Sequence, residues 1–232
     1  FSTSFALASF VASVAGHGFV TDPPARRAGK AMAAACGQQV FNNQAADTYG
    51  NVQGILQVAR GQSDFNADAC NVWLCKGFQF ADNAANVQTF SAGQTVPITV
   101  DIRAPHTGTA NVSIVKTSSN SIIGSPLISF DSYASNSAPI PENQKNFDIT
   151  IPSDLGSQCA NPGDCVIQWY WDARSIDQTY EACIDFTVSG SGGSPAPSDP
   201  APAPTTTTRP TAVPTAGVPT TTLIPVPTSS PT

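Results

Sequence analysis

Five short runs between residues 95 and 188 limit what this chain can fold into more than any other feature. Residues 95–103, 110–116, 147–151, 165–171 and 183–188 alternate, or run continuously, in β-branched and aromatic side chains between turn-forming residues. That is the period of a strand and not of a helix. Strands of this length and spacing bury their apolar faces as two stacked antiparallel sheets, so an all-β sandwich is expected. The stretch 29–80 reads differently, rich in Ala, Gln, Asn and Gly and without sustained periodicity. It is expected to be a long loop region pinned by disulfides, with one helical turn near 30–35. Loops held on a rigid sandwich are where function concentrates. Trp169 and Trp171 alternate on one strand and are expected to fill the core.

Six cysteines, Cys36, Cys70, Cys75, Cys159, Cys165 and Cys183, are even in number. In an exported chain they argue for three disulfides. Proximity pairs Cys70 with Cys75 and Cys159 with Cys165, leaving Cys36 for Cys183, one of fifteen formal connectivities. Zinc binding is the competing reading, but CxxC spacing is absent.

Export is expected because residues 1–16 form an apolar run closing on small residues, with Val14 and Gly16 at the positions a signal peptidase reads. We therefore expect 1–16 to be part of a signal peptide and 17–190 to be one folded domain. The composition then shifts: residues 191–232 hold 11 prolines and 11 threonines, with Asp199 and Arg209 their only charges. Such a segment cannot build a core and is expected to be a stiff, O-glycosylated stalk, either free or tethering the domain to a cell wall or membrane. The formal net charge of −6 excludes nucleic acid as a natural partner. The sparse charge suits a neutral carbohydrate.

The chemistry comes from the two histidines. His17 follows the expected cleavage point, and as a new N-terminus it would offer a metal both its α-amino nitrogen and its ring Nδ1. His106, in Ala-Pro-His-Thr-Gly at 104–108, would supply a third nitrogen. Three nitrogens of this kind favour cupric ion over zinc or iron. An α-amine has an unperturbed pKa of only about 8, so it gives up its proton to a metal readily. Tyr180 is the candidate for the remaining axial position, and Gln178, two residues earlier on an extended segment, projects to the same side. Asp172, Asp177 and Glu181 invite a glycosidase reading, but nothing in the sequence fixes their separation. Asn111-Val-Ser113 is an N-glycosylation sequon whose place on a strand close to His106 speaks against its use.

His-Gly at 17–18, Ala-Cys-Gly-Gln-Gln at 35–39, Asn-Val-Gln-Gly at 51–54, Pro-His-Thr-Gly at 105–108 and Gln-Thr-Tyr-Glu-Ala-Cys at 178–183 together resemble a lytic polysaccharide monooxygenase. The likeness is greatest to the fungal cellulose-active group, auxiliary-activity family sixteen, and covers residues 17 to about 188. The resemblance implies an immunoglobulin-like or fibronectin-like antiparallel sandwich. It implies one copper ion held by His17 and His106 with Tyr180 axial, and Gln178 beside the metal. It also implies an external electron donor with O2 or hydrogen peroxide as co-substrates, and oxidative cleavage of a polysaccharide, cellulose first, at C1 or C4. The partners it implies are a polysaccharide surface, the electron donor and other cellulolytic enzymes, for a secreted monomer. Three alternatives stay open: a copper-binding protein without catalysis, an oxidase supplying hydrogen peroxide to partner monooxygenases, and a wall-anchored carbohydrate-binding sandwich.

Overall fold

The computed structural model describes residues 17–189. The leader expected at 1–16 and the tail expected at 191–232 lie outside the described residues. Eight strands form two sheets. One is antiparallel in the order β1-β3-β6, from β1 (His17–Asp22), β3 (Thr95–Ala104) and β6 (Asn146–Thr150). The other runs β2-β8-β7-β4-β5, from β2 (Gln88–Ser91), β8 (Gln178–Ser189), β7 (Cys165–Ala173), β4 (Gly108–Lys116) and β5 (Ser121–Tyr133). The expected sandwich is there, with one departure: β2 runs parallel to β8. All five runs read from the sequence lie on strands, except Ile151 at the end of its run, which follows β6.

The core follows from alternation. On β3, Val96, Ile98 and Val100 are buried while Thr95 and Pro97 are exposed, as a strand with one covered face requires. On β7, Trp169 and Trp171 are fully buried and meet Tyr133 and Tyr180 edge-on or stacked. β7 and β8 bury nearly every residue, because segments outside the sheets cover their second face.

Those segments are not the loop expected for 29–80. They hold three helices, α1 (Lys30–Cys36), α2 (Gln38–Ala46) and α3 (Val52–Arg60), followed by short 3-10 turns. α3 carries a local start signal: the Asn51 side chain accepts from the Gly54 N–H at 2.7 Å, and Val52, Ile55 and Ala59 form its buried stripe. α1 and α2 are started by side chains from far along the chain. Asp82 accepts from the Ala31 and Met32 N–H groups at 2.8 Å each, while Asp64 and Gln62 accept from those of Gln38 and Gln39 at 2.9 Å.

The cysteines form three disulfides, as expected in number, but proximity misassigned two of them. The bridges are Cys36–Cys70, Cys75–Cys183 and Cys159–Cys165, so all six sulfurs are used and none remains for zinc. The physical reason lies at Cys75 and Lys76, both at φ 56°. That left-handed turn sends Cys75 toward β8 while Cys70 stays against the end of α1. Gly77, at φ +77°, packs directly against the Cys36–Cys70 bridge, where a Cβ would lie 2.8 Å from the Cys70 sulfur and 3.0 Å from that of Cys36. Arg26 ties the segment after β1 to β8 through a buried two-point pair with Asp185, both contacts at 2.7 Å.

Candidate metal centre

Strand register brings His17 and His106 to one end of the sandwich. His17 opens β1 and lies opposite Ala104, the last residue of β3. His106 follows two residues later in the turn that leads into β4. That turn is tightly set: a Cβ on Gly108 would lie 2.2 Å from the Asp172 carbonyl oxygen, so only glycine lets β4 approach β7 there. Thr107 Oγ1 accepts from the Asn136 N–H at 2.9 Å. β7 ends and β8 begins at this same end, with Asp172 opposite Thr179 and Ala173 opposite Gln178. The four residues singled out from the sequence, His17, His106, Gln178 and Tyr180, therefore gather at one end of the fold.

Tyr180 is fully buried, stacked on Trp171 with ring centroids 4.5 Å apart. Its hydroxyl donates to Gln178 Oε1. Burial holds the phenol above its ordinary pKa, opposed by a hydrogen bond with Asn51. Gln178 thus faces the same side as Tyr180, as the extended segment requires.

Three residues that sequence reasoning missed complete the site. Asp47 Oδ2 lies 2.9 Å from His17 Nε2, which leaves Nδ1 as the ring nitrogen on the other side of the imidazole. Gln53 clasps the start of β8, donating from Nε2 to Thr179 Oγ1 at 3.1 Å and accepting the Thr179 N–H at 2.8 Å. Lys76 lies fully buried beneath the loop that carries Asp47, donating from Nζ to the Gly50 carbonyl at 3.1 Å and to that of Thr48. Its ammonium stands 5.0 Å from the Phe19 ring. Burial lowers its pKa to about 7. Only Asn51-Val-Gln-Gly carried a sequence signal for this neighbourhood. Asp47 and Lys76 are ordinary residues until the fold is known. His17, Asp47, Gly50, Asn51 and Ile55 line a hollow of about 190 Å³.

The donor set fits copper on an observation independent of the histidine spacing. His106 Nε2 is buried and has no hydrogen-bond partner among the described residues. A buried ring nitrogen in that condition is costly unless something binds it. His17 Nδ1 and His106 Nε2 are two of the three expected nitrogens. The α-nitrogen of His17 would be the third in a chain that starts there. Among the described residues no three His, Cys, Asp or Glu side chains cluster. The glycosidase reading finds no support: Glu181 is buried, its carboxylate accepting the Lys76 N–H at 3.2 Å and pushed up to about 7 by burial. Asp172 pairs with Arg174 at 2.8 Å.

The family model described as lytic polysaccharide mono-oxygenase, cellulose-degrading, matches residues 17–186. Among solved structures, a Jonesia denitrificans lytic polysaccharide monooxygenase is 21% identical, covering 75% of this chain and all of that one, with TM-score 0.36. An AA15 monooxygenase from Thermobia domestica in the Cu(I) state is 16% identical over 44% of this chain and 62% of its own, TM-score 0.29. A cellulose-active polysaccharide monooxygenase from M. thermophila is 17% identical over 55% and 64%, TM-score 0.34. No curated protein sequence matches this chain.

Proposed function

We propose, from the premise that this chain belongs to the lytic polysaccharide mono-oxygenase family, that His17 and His106 hold one copper ion for the oxidative cleavage of cellulose. The observation that carries the reading is the buried, unpartnered Nε2 of His106 at the same end of the sandwich as His17. Copper bound there would supply one-electron chemistry, drawing on an external reductant and on O2 or hydrogen peroxide, for attack at C1 or C4 of a sugar.

The chain's own residues do the rest. Asp47 fixes the His17 ring through Nε2 and so presents Nδ1, the role an outer carboxylate plays for a ligating imidazole. Lys76 holds the Thr48 and Gly50 carbonyls and with them the loop that carries Asp47. Tyr180, clamped between Trp171 and Gln178, would wall one side of the copper site as a neutral phenol, its proton retained by burial. Gln178 gives its oxygen to Tyr180 and keeps its amide N–H groups to orient an oxygen co-substrate. Gln53 locks the start of β8, so Gln178 and Tyr180 keep their place relative to α3.

The narrower likeness to auxiliary-activity family sixteen rests on the Gln178-x-Tyr180 spacing and the Pro/Thr-rich tail alone. The comparisons lend it no support beyond the family as a whole. Export of a catalytic domain at 17–190, with the tail as a stalk, completes the proposal. The test is incubation of the copper-loaded chain, starting at His17, with cellulose, chitin or pectin and a reductant, followed by mass spectrometry of soluble products. Oxidised cello-oligosaccharides are the expected result. Peroxide without oxidised sugar from any polymer would favour the oxidase reading, and oxidised products from chitin or pectin alone would replace cellulose as the substrate.

A further inference from the structure

On the outer face of the five-stranded sheet a second feature has no part in copper chemistry. Trp73, Asn111, Val115, Ile122, Gln168 and Tyr170 line a groove of about 250 Å³. Trp73 is 43% exposed and Ile122 53%, two of the three exposed large hydrophobic residues among the described residues. Apolar exposure gathered in this way marks a surface that something covers. Gln168 is 8% exposed, and its buried Nε2 has no hydrogen-bond partner. Apolar walls with a few unsatisfied amides are the chemistry of a neutral sugar site.

Asn111 opens the sequon Asn111-Val-Ser113. Its neighbours Ala110 and Val112 are buried inward, so on a strand Asn111 faces outward, into the groove. Ser113 Oγ donates to Asn111 Oδ1 at 2.9 Å, which leaves Nδ2 as the open side of the amide. The strand position that spoke against the sequon in the sequence is thus, in the structure, an outward-facing one.

We propose that Asn111 is N-glycosylated and that the first N-acetylglucosamine of its glycan seats in this groove. Transfer from a lipid diphosphate-linked oligosaccharide forms the bond from Asn111 Nδ2 to sugar C1 as the bond from C1 to the diphosphate oxygen breaks, and the amide gives up one proton. The ring's apolar face then covers the Trp73 indole, its acetyl methyl meets Ile122 and Val115, and its acetamide oxygen can accept from Gln168 Nε2. Because the sugar is tethered at the groove, its effective concentration is about millimolar, so weak contacts suffice to seat it.

The test expresses the full chain in yeast behind a proven secretory leader, so that export does not depend on residues 1–16. Mass spectrometry of the Asn111 peptide reads occupancy, and enzymatic trimming leaves either one N-acetylglucosamine on Asn111 or, by hydrolysis of the side-chain amide, no sugar and a carboxylate there, so that Asn111→Gln serves as the uncharged sugar-free control. Trp169 and Trp171 are buried, so acrylamide quenching of tryptophan fluorescence reports Trp73. The single-sugar form is expected to be quenched about threefold less than the sugar-free form, an indole face being covered. Asn111→Gln should quench like the sugar-free form, and Ser113→Thr, which preserves the sequon, like the parent. An unoccupied Asn111 in secreted protein would overturn the proposal, as would equal quenching with and without the sugar. Equal binding of free chitobiose by the single-sugar and sugar-free forms would also overturn it, since the groove would then be open.

Discussion

Gly18 is where packing and the metal centre meet, and Gly18→Ala tests that link. β1 lies over the two tryptophans so closely that a Cβ on Gly18 would stand 3.0 Å from Trp169 Cη2 and 3.1 and 3.3 Å from Trp171 Cζ3 and Cε3. Neither ring can retreat freely. Trp169 touches Tyr133, and Trp171 is stacked on Tyr180, all of them buried. Relief must come either from the rings, which would push Tyr180, or from β1, which would move His17. Overpacking of this kind costs about 1–3 kcal/mol. For a domain of this size that lowers Tm by about 2–4 °C per kcal/mol. Copper affinity should fall with it, on the order of tenfold, because the ligand next in sequence shifts. Trp169→Phe removes the nearest atom, so the double variant should be destabilised by less than the sum of the single changes. Calorimetry and copper titration of the four proteins decide the matter. A Gly18→Ala protein with unchanged Tm and unchanged copper affinity would refute the reasoning.

Three further outcomes are expected. Asp47→Ala should keep Tm within a few degrees yet weaken copper binding by about 10–100-fold, read by competition titration, since it frees the far nitrogen of a ligand ring; unchanged affinity would remove Asp47 from the site. All four tyrosines, Tyr49, Tyr133, Tyr170 and Tyr180, are held above their ordinary pKa of 10.0, chiefly by burial. The folded chain therefore keeps protons that the unfolded chain loses above pH 10, so their contribution is fully present below pH 10 and lost as the pH rises through the folded values. Tyrosinate absorbance should therefore appear at higher pH in the folded chain than in the unfolded one, and tyrosines titrating normally in the folded state would contradict this. Loop-closure entropy ranks the disulfides by their sequence separations of 108, 34 and 6. Removing Cys75–Cys183, Cys36–Cys70 or Cys159–Cys165 as a pair should cost about 5, 4 and 2 kcal/mol in that order. Urea unfolding of the three paired variants checks the order, and a reversal would count against it.

What the sequence disclosed was whatever local chemistry determines. The five alternating runs announced strands, and Trp169 and Trp171 announced a core, because alternation depends only on neighbouring residues. β5 escaped notice because Gly124, at φ +71°, and Pro126 interrupt it and its residues are mostly exposed or half-buried. α1 and α2 escaped because their first turns are satisfied by Asp82, Asp64 and Gln62, whose approach no local pattern reveals. α3 could have been read from Asn51 and its Val52, Ile55, Ala59 stripe. The bridge from Cys75 to Cys183 depends on a left-handed turn at Cys75 and Lys76, a conformation that neither residue type advertises. At the candidate metal centre the two histidines, Tyr180 and Gln178 could be singled out because the histidines are scarce and Gln178 and Tyr180 stand two apart on an extended segment. Asp47 and Lys76 matter only through tertiary approach, one to a ring nitrogen and the other to two carbonyls.

The central claim is that His17, as a free N-terminus, and His106 together make one tight copper site. The most direct measurement is copper titration with electron paramagnetic resonance on three metal-free proteins: one beginning at His17, one retaining Gly16, and His106→Ala. A single tight site with nitrogen hyperfine structure in the first, lost in the other two, is the expected result. Full copper affinity in either altered protein would contradict it.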